Sequence, residues 1–346
     1  MVEWQSDSVG SIYNYLPAGC RICRQGAGLV LFVTGRCMRS CFYCPISEER
    51  RGHDAVFADE QPVHGLLDIL EEARAIRALG TGITGGEPLL RLDYVLECIT
   101  ALKHEFGPEH HIHLYSGLLP EKAVLEKLKQ AGLDEIRFHP PVSEWSNPVG
   151  LKETLLEARA IGLEAGVEIP AIKSAPKIVE AVRDADAFLN LNELEYSETN
   201  FAGLALEGFL PEELGCAAMG SEEVARDHFL RDDIKVHYCP SRFKDAVQLK
   251  ERLRRRADHT ARPFDYVSPD GTIIHGIIEG DLEKAEQILG DLMVPEEMYS
   301  CRDGQIDIAA SILEDIALEL KRFRCILSII EKYPLENGLV VERIPL

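Results

Sequence analysis

Basic charge is what this 346-residue sequence is short of: 37 Lys and Arg stand against 58 Asp and Glu, a formal net charge of −21. Such a surface repels polyanions at long range, which argues against broad nucleic-acid binding and leaves room only for a local basic patch. Long apolar runs are missing too, so no membrane span is expected. The opening MVEWQSDSVG has no basic run followed by an apolar core, so no signal peptide is expected either. The implied setting is the cytoplasm. No long internal repeat or low-complexity tract is visible. With 46% apolar residues the chain can still bury a sizeable core, enough for one large domain and a smaller one.

Cysteine is plentiful by contrast. Ten are present, and six of them fall at positions 20, 23, 37, 41, 44 and 98. A reducing compartment disfavours structural disulfides, so clustered cysteines point to metal or catalysis.

Hydrophobic patterning predicts alternating strands and helices. Residues 28–34 read as a buried strand, 62–79 as a helix, 81–84 as a strand and 91–106 as a helix. Strands at 111–115, 135–138, 165–169 and 190–196 alternate with helices at 120–131, 151–162 and 176–188. This order implies right-handed βαβ units, either barrel-like or doubly wound, with ligands at the carboxyl ends of the strands. Residues 201–226 read as loop plus short helix. From about 263 a small unit is expected: strand 272–278, helix 281–292, helix 306–320 and strands at 325–330 and 339–344. The domain reading is 1–27, an N-terminal CxxC segment; 28–200, the barrel; 201–262, a connector with a basic helix; and 263–346, a C-terminal α/β accessory unit.

Directly after the first strand comes Cys37-Met-Arg-Ser-Cys41-Phe-Tyr-Cys44-Pro45. Spacings of three and two let one loop supply three thiolates to a cubane, leaving one of its four irons open to a small ligand. Structural zinc would want four ligands, usually in two pairs, and this loop offers a lone trio. The next strand ends in Gly85-Gly86-Glu87-Pro88.

This combination, with Tyr43 before the last cysteine, resembles the radical S-adenosylmethionine (SAM) superfamily over roughly residues 28–200. The resemblance implies a partial (β/α)6 TIM-like barrel with a small C-terminal α/β unit. It implies a [4Fe–4S] cluster on Cys37, Cys41 and Cys44. It also implies reductive cleavage of SAM to a 5′-deoxyadenosyl radical that abstracts hydrogen from a substrate. An electron donor such as ferredoxin or flavodoxin would feed the cluster. Gly85, Gly86 and Glu87 match the turn that receives the SAM ammonium, where glycine permits close backbone approach and a carboxylate meets a cation. Ser116 and His139, at the ends of the third and fourth strands, and Glu168 on the fifth fall where relatives place SAM contacts; each is also readable as an ordinary strand-end residue.

Gly19-Cys20-x-x-Cys23, followed by Gly26 to Gly35, resembles an archaeal group usually described as related to pyruvate formate-lyase activating enzymes. That description concerns the SAM domain and does not establish a glycyl-radical substrate.

The CxxC pair is surplus to the SAM loop. Pairs of this kind bind metal or do redox chemistry. No thioredoxin-like strand-then-helix context surrounds it, so metal is preferred. If 234–239 is a strand, His237 and Cys239 share a face and complete a zinc set; three cysteines alone would suit an auxiliary iron–sulfur cluster. Cys216 is a rival ligand, and an unligated pair is the plain alternative. Cys98 reads as core. Within 241–257, Arg242, Lys244, Lys250, Arg252, Arg254, Arg255 and Arg256 make a basic stretch. A phosphate or RNA contact is the functional reading, and a solvated helix face is favoured over it.

An enzyme acting on an unknown substrate is thus the leading reading. A glycyl-radical activase ranks below it, since dedicated activases are shorter and lack the C-terminal unit. A non-catalytic iron–sulfur carrier ranks lower still, because it has no use for a GGEP turn.

Overall fold

The computed structural model describes residues 3–302, 304–335 and 338–346. Two compact units emerge: Met1–Arg74 with Ala78–Leu249, and Ala75–Arg77 with Lys250–Leu346. The chain is therefore not divided at 200 or 263. The expected connector is split at 249, and its first part belongs to the barrel.

The first unit is built on seven parallel strands: β1 (Gly28–Phe32), β2 (Gly80–Thr84), β3 (His111–Ser116), β4 (Glu135–Phe138), β5 (Glu164–Pro170), β6 (Phe188–Asn192) and β7 (Lys235–Cys239). They lie side by side in chain order, each parallel to the next. Six of them form the expected partial barrel. The seventh comes from beyond residue 200 and extends it. Short antiparallel strands flank both ends: Phe57–Ala58 and Gln61–Pro62 beyond β1, Ile12–Tyr13 and Gln5–Ser6 beyond β7.

Helices α2 (Leu66–Ala75), α3 (Leu92–Phe106), α4 (Lys122–Ala131), α5 (Leu151–Ala160) and α6 (Pro176–Asp184) follow the strands in βαβ order. Alternation along each strand separates two chemically distinct faces. Leu31, Ile83, Leu114, Ile136, Val167 and Leu189 form an apolar layer and are fully buried. The opposite face carries His111, His113, Tyr115, Arg137, Glu168, Asn190 and His237. Most of these are buried, and Tyr115, Arg137, Glu168 and Asn190 bond to one another.

The N-terminal segment lies on that polar face. Tyr15 donates to Glu164 Oε1 at 2.6 Å and stacks on Phe188. Phe188 covers Gly166, whose missing Cβ would sit 2.3 Å from the ring. Helix α1 (Ala18–Cys23) then crosses β3, β2 and β1. Gly19 is needed there, because a Cβ would come within 2.6 Å of Arg137 Nη2 and 2.7 Å of His113 Nδ1.

The second unit is an antiparallel sheet in the order Tyr299–Arg302, Gln305–Ile308, Ile273–Glu279, Ile326–Lys332, Val340–Pro345, with Tyr266–Val267 also on Ile273–Glu279. Helices Leu282–Asp291 and Ala310–Lys321 share a core with it through Ile278, Leu289, Ile306, Ile308, Leu313 and Leu327. The expected helix 306–320 starts later. Ile306 and Ile308 alternate into this core as strand residues, and the helix begins only at Ala310. The hairpin partner Tyr299–Arg302 had no sequence signal.

Candidate functional site

The carboxyl ends of β1 and β2 carry the two motifs, and backbone contacts lock them together. Gly86 N donates to Thr34 O at 2.6 Å and Glu87 N to Arg36 O at 2.8 Å. A Cβ on Gly85 would lie 2.5 Å from Thr34 O, and one on Gly86 2.3 Å from Arg36 O. Both glycines are therefore required by close approach of the GGEP turn to the residues just before Cys37. The cysteine loop also closes on itself, through Gly35 N to His53 O and Gly52 N to Gly35 O, each 2.8 Å.

Side chains fix the rest of the loop. Arg39 reaches Gly117 O at 2.8 Å and Glu144 at 2.7 Å, and Arg51 caps Cys44 O at 2.9 Å. Buried Asn200 donates to Tyr43 O at 3.1 Å. Cys37 is exposed, while Cys41 and Cys44 are half-buried. Burial pushes the Cys41 thiol above its usual range, and Cys44 and Cys37 add to the shift as negative neighbours. A positive centre would reverse this by stabilising thiolates.

Glu87 is 2% exposed. Its Oε1 accepts from Ser116 Oγ at 2.9 Å and Leu89 N at 3.1 Å; its Oε2 accepts from Gly117 N at 2.7 Å. Burial raises the carboxyl above its usual range, and these donors offset that only in part. Glu87 thus ties the turn to the end of β3, and Oε2 keeps a lone pair for a further donor. Ser116 faces Glu87 and, on these bonds, acts as its support.

His139 is set by two partners. Its Nδ1 lies 2.7 Å from Glu168 O and its Nε2 3.2 Å from Tyr43 Oη. The carbonyl requires the proton on Nδ1, so Nε2 accepts from the phenol. Burial holds this imidazole below its usual pKa and the Tyr43 phenol above its own. Tyr43, from the cysteine loop, is thereby joined to β4 and β5.

Glu168 sits deeper. It takes Arg137 Nη1 at 2.7 Å, Asn190 at 3.0 Å and Asn192 at 2.9 Å. Burial alone would raise its carboxyl, but Arg137 and the two amides hold it below the usual range. Arg137 also pairs with Glu135, which His111 meets from the other side at 3.0 Å. The sequence reading missed this network. The alternating polar residues of HIHLYS, EIRF and NLN were its only signal.

The basic stretch is largely spent within the chain. Arg242 bonds Val9 O and Lys244 pairs with Glu195; Lys250 pairs with Asp270, and Arg255 caps Ile76 O and Arg77 O. Cys216 lies beside Glu195 and Ser241. Cys98 is fully buried on α3.

A parallel partial barrel with a three-cysteine loop after its first strand and a GGE turn after its second defines the radical SAM class. The chain belongs to that superfamily. The family model described as Radical SAM superfamily matches residues 31–141, and one described as a domain of unknown function (DUF8061) matches 271–346. A Methanocaldococcus jannaschii protein, provisionally named a glycyl-radical enzyme activating enzyme, is 38% identical over 96% of this chain and 94% of its own length. A GTP 3′,8-cyclase of Sulfurimonas denitrificans is 26% identical over 82% of this chain and 94% of that protein. Among solved structures, Streptococcus suis SuiB is 10% identical with a TM-score of 0.42, covering 70% of this chain and 54% of that one. The protein is therefore a radical SAM enzyme, and the family's cofactors are a [4Fe–4S] cluster and SAM. Among the described residues no helix is long and apolar enough to cross a membrane.

Proposed function

We propose that Cys37, Cys41 and Cys44 hold the cluster and that SAM lies against Gly85, Gly86 and Glu87 at the mouth of the barrel. The supporting observation is the backbone lock between Thr34–Arg36 and Gly85–Glu87, which holds a trio of thiols and a carboxylate in one rigid frame. The donor set fits: three thiols from one loop leave a position for a small chelating ligand. When bound, the cluster and SAM supply a carbon-centred radical, and the chain's task is to orient and shield it. In this reading Glu87 Oε2 accepts from the SAM ammonium. Tyr43 and His139 form a neutral wall that neither gives up nor takes a proton near neutral pH. Ser116 and Glu168 act as supports. A ferredoxin- or flavodoxin-type donor delivers the electron in a reducing cytoplasm, and the radical acts on a substrate that enters at the carboxyl ends of the strands.

The test is anaerobic reconstitution followed by dithionite and SAM. Release of 5′-deoxyadenosine is expected. Zinc at the trio, or no 5′-deoxyadenosine from protein with an intact cluster, overturns the proposal. The name of the Methanocaldococcus relative favours a second reading, activation of a glycyl-radical partner. A glycine-centred radical on an added polypeptide would select it. Turnover without any such radical would select direct substrate modification.

A further inference from the structure

Three cysteines outside the SAM loop lie on elements of the polar face. Cys20 and Cys23 are three apart on α1, which places both thiols on one side of that helix. Cys239 ends β7, and His237 precedes it by two residues on the same strand face. Cys23 and Cys20 are both close enough to Cys239 to act on its thiol as charged neighbours. Asn190 connects the two halves. Its Nδ2 donates to Cys20 Sγ at 3.2 Å, and it is the cross-strand neighbour of His237 in the β6–β7 ladder.

His237 carries the argument further. It is 4% exposed, and neither ring nitrogen has a hydrogen-bond partner. A neutral imidazole always holds one donor and one acceptor, so both are stranded in a low-dielectric interior, a costly arrangement that calls for a ligand. Tyr13 meets the ring edge-on and offers it no polar atom.

We propose that Cys20, Cys23, Cys239 and His237 form a zinc site that staples the N-terminal segment to β7. Three thiolates and one imidazole make a closed tetrahedral set with no position left for substrate, the mark of a structural zinc. Binding releases the thiol protons and involves no redox step. The site joins α1, which crosses β1 to β3, to the last parallel strand of the same sheet. Among the described residues no three ligand side chains are gathered round a common centre. That holds for the Cys37–Cys44 loop as well, so both sites require their side chains to turn inward when metal arrives.

The experiment is metal analysis of the anaerobically purified full chain. About one zinc and about four irons per chain are expected. Cys239→Ser and His237→Ala should each lose the zinc and keep the irons and the cluster's absorption. Cys41→Ala should lose the irons and keep the zinc, which separates this proposal from the cluster assignment. Zinc K-edge spectroscopy on the unaltered protein should show three sulfur neighbours and one nitrogen, a readout that survives if a variant fails to fold. Absence of zinc, zinc retained by Cys239→Ser, or about eight irons per chain, marking a second cluster, each overturns it.

Discussion

The mouth of the barrel and its interior hold their functional groups by opposite means. At the mouth, glycine lets backbone touch backbone, and Cys37 is left exposed. In the interior, a Glu135–Arg137–Glu168 chain holds the strands through charge, and the side chains are almost wholly shut off from water. The mouth is stiff in its main chain and open at Cys37, which suits the cluster site proposed there. The interior is stiff in its side chains, and such networks are strong only while every member is present.

That contrast can be broken most sharply at Cys41. Cys41→Ser should abolish cluster assembly and lower 5′-deoxyadenosine formation at least about 10³-fold, while far-ultraviolet circular dichroism stays unchanged. A large fall in thermal stability before any iron is added would mean that the loop, too, carries the fold. Arg137→Leu is the converse test. It takes the guanidinium from two buried carboxylates and should cost about 3–5 kcal/mol, read by urea unfolding of iron-free protein. A loss under 1 kcal/mol, roughly the value of an exposed pair, would remove the interior's claim to be a charge-held frame.

Gly86→Ala comes next. Its Cβ would press on Arg36 O, so cluster content should hold while turnover falls about 10–100-fold, the penalty for misplacing a binding group by a fraction of an ångström. The interior should also respond to acid. Burial, then Lys103, lowers the His110 pKa to about 4; burial, then Arg137, lowers that of His113 to about 3. Both stay neutral in the fold while the unfolded chain takes up protons below about 6.5. Their contribution is complete above that pH and declines as pH falls towards 4 and then 3, by about 1.4 kcal/mol per pH unit for each group. Stability that stays flat between pH 7 and 5 would contradict it. The smallest effect belongs to the basic stretch: Arg254→Ala, 3.9 Å from Glu251, should leave turnover unchanged within error.

The same contrast decides what the sequence could disclose. Cys37, Cys41 and Cys44 fall in one short stretch and Gly85-Gly86-Glu87 in another, so local spacing alone was enough to mark them as candidates. The strand–helix order of the barrel was legible for the same local reason. Arg137 meets Glu168 only through the β4–β5 register, and Gly19 meets His113 only because α1 lies across β3. Neither register nor docking is written in a local pattern. Glu87 shows the limit from another side. A carboxylate was expected there for a cation, but its three bonds to Ser116, Leu89 and Gly117 are set by loops that no periodicity describes. In the second unit, 306–308 was read as helix because Ile306 and Ile308 precede a true helix without a break.

Asn14 and Val236 exchange hydrogen bonds across 222 residues of sequence, and Ile12–Tyr13 pairs with the last parallel strand. Residues 12–14 are thus made long before their partner strand and are among the last to find their seat. They must wait, with Tyr15 and Cys20 uncovered, until β7 has been synthesised. Oxidation or mispairing of the CxxC thiols during that delay is a hazard the finished molecule does not share, and a truncated nascent chain ending before β7 should leave them open to alkylation.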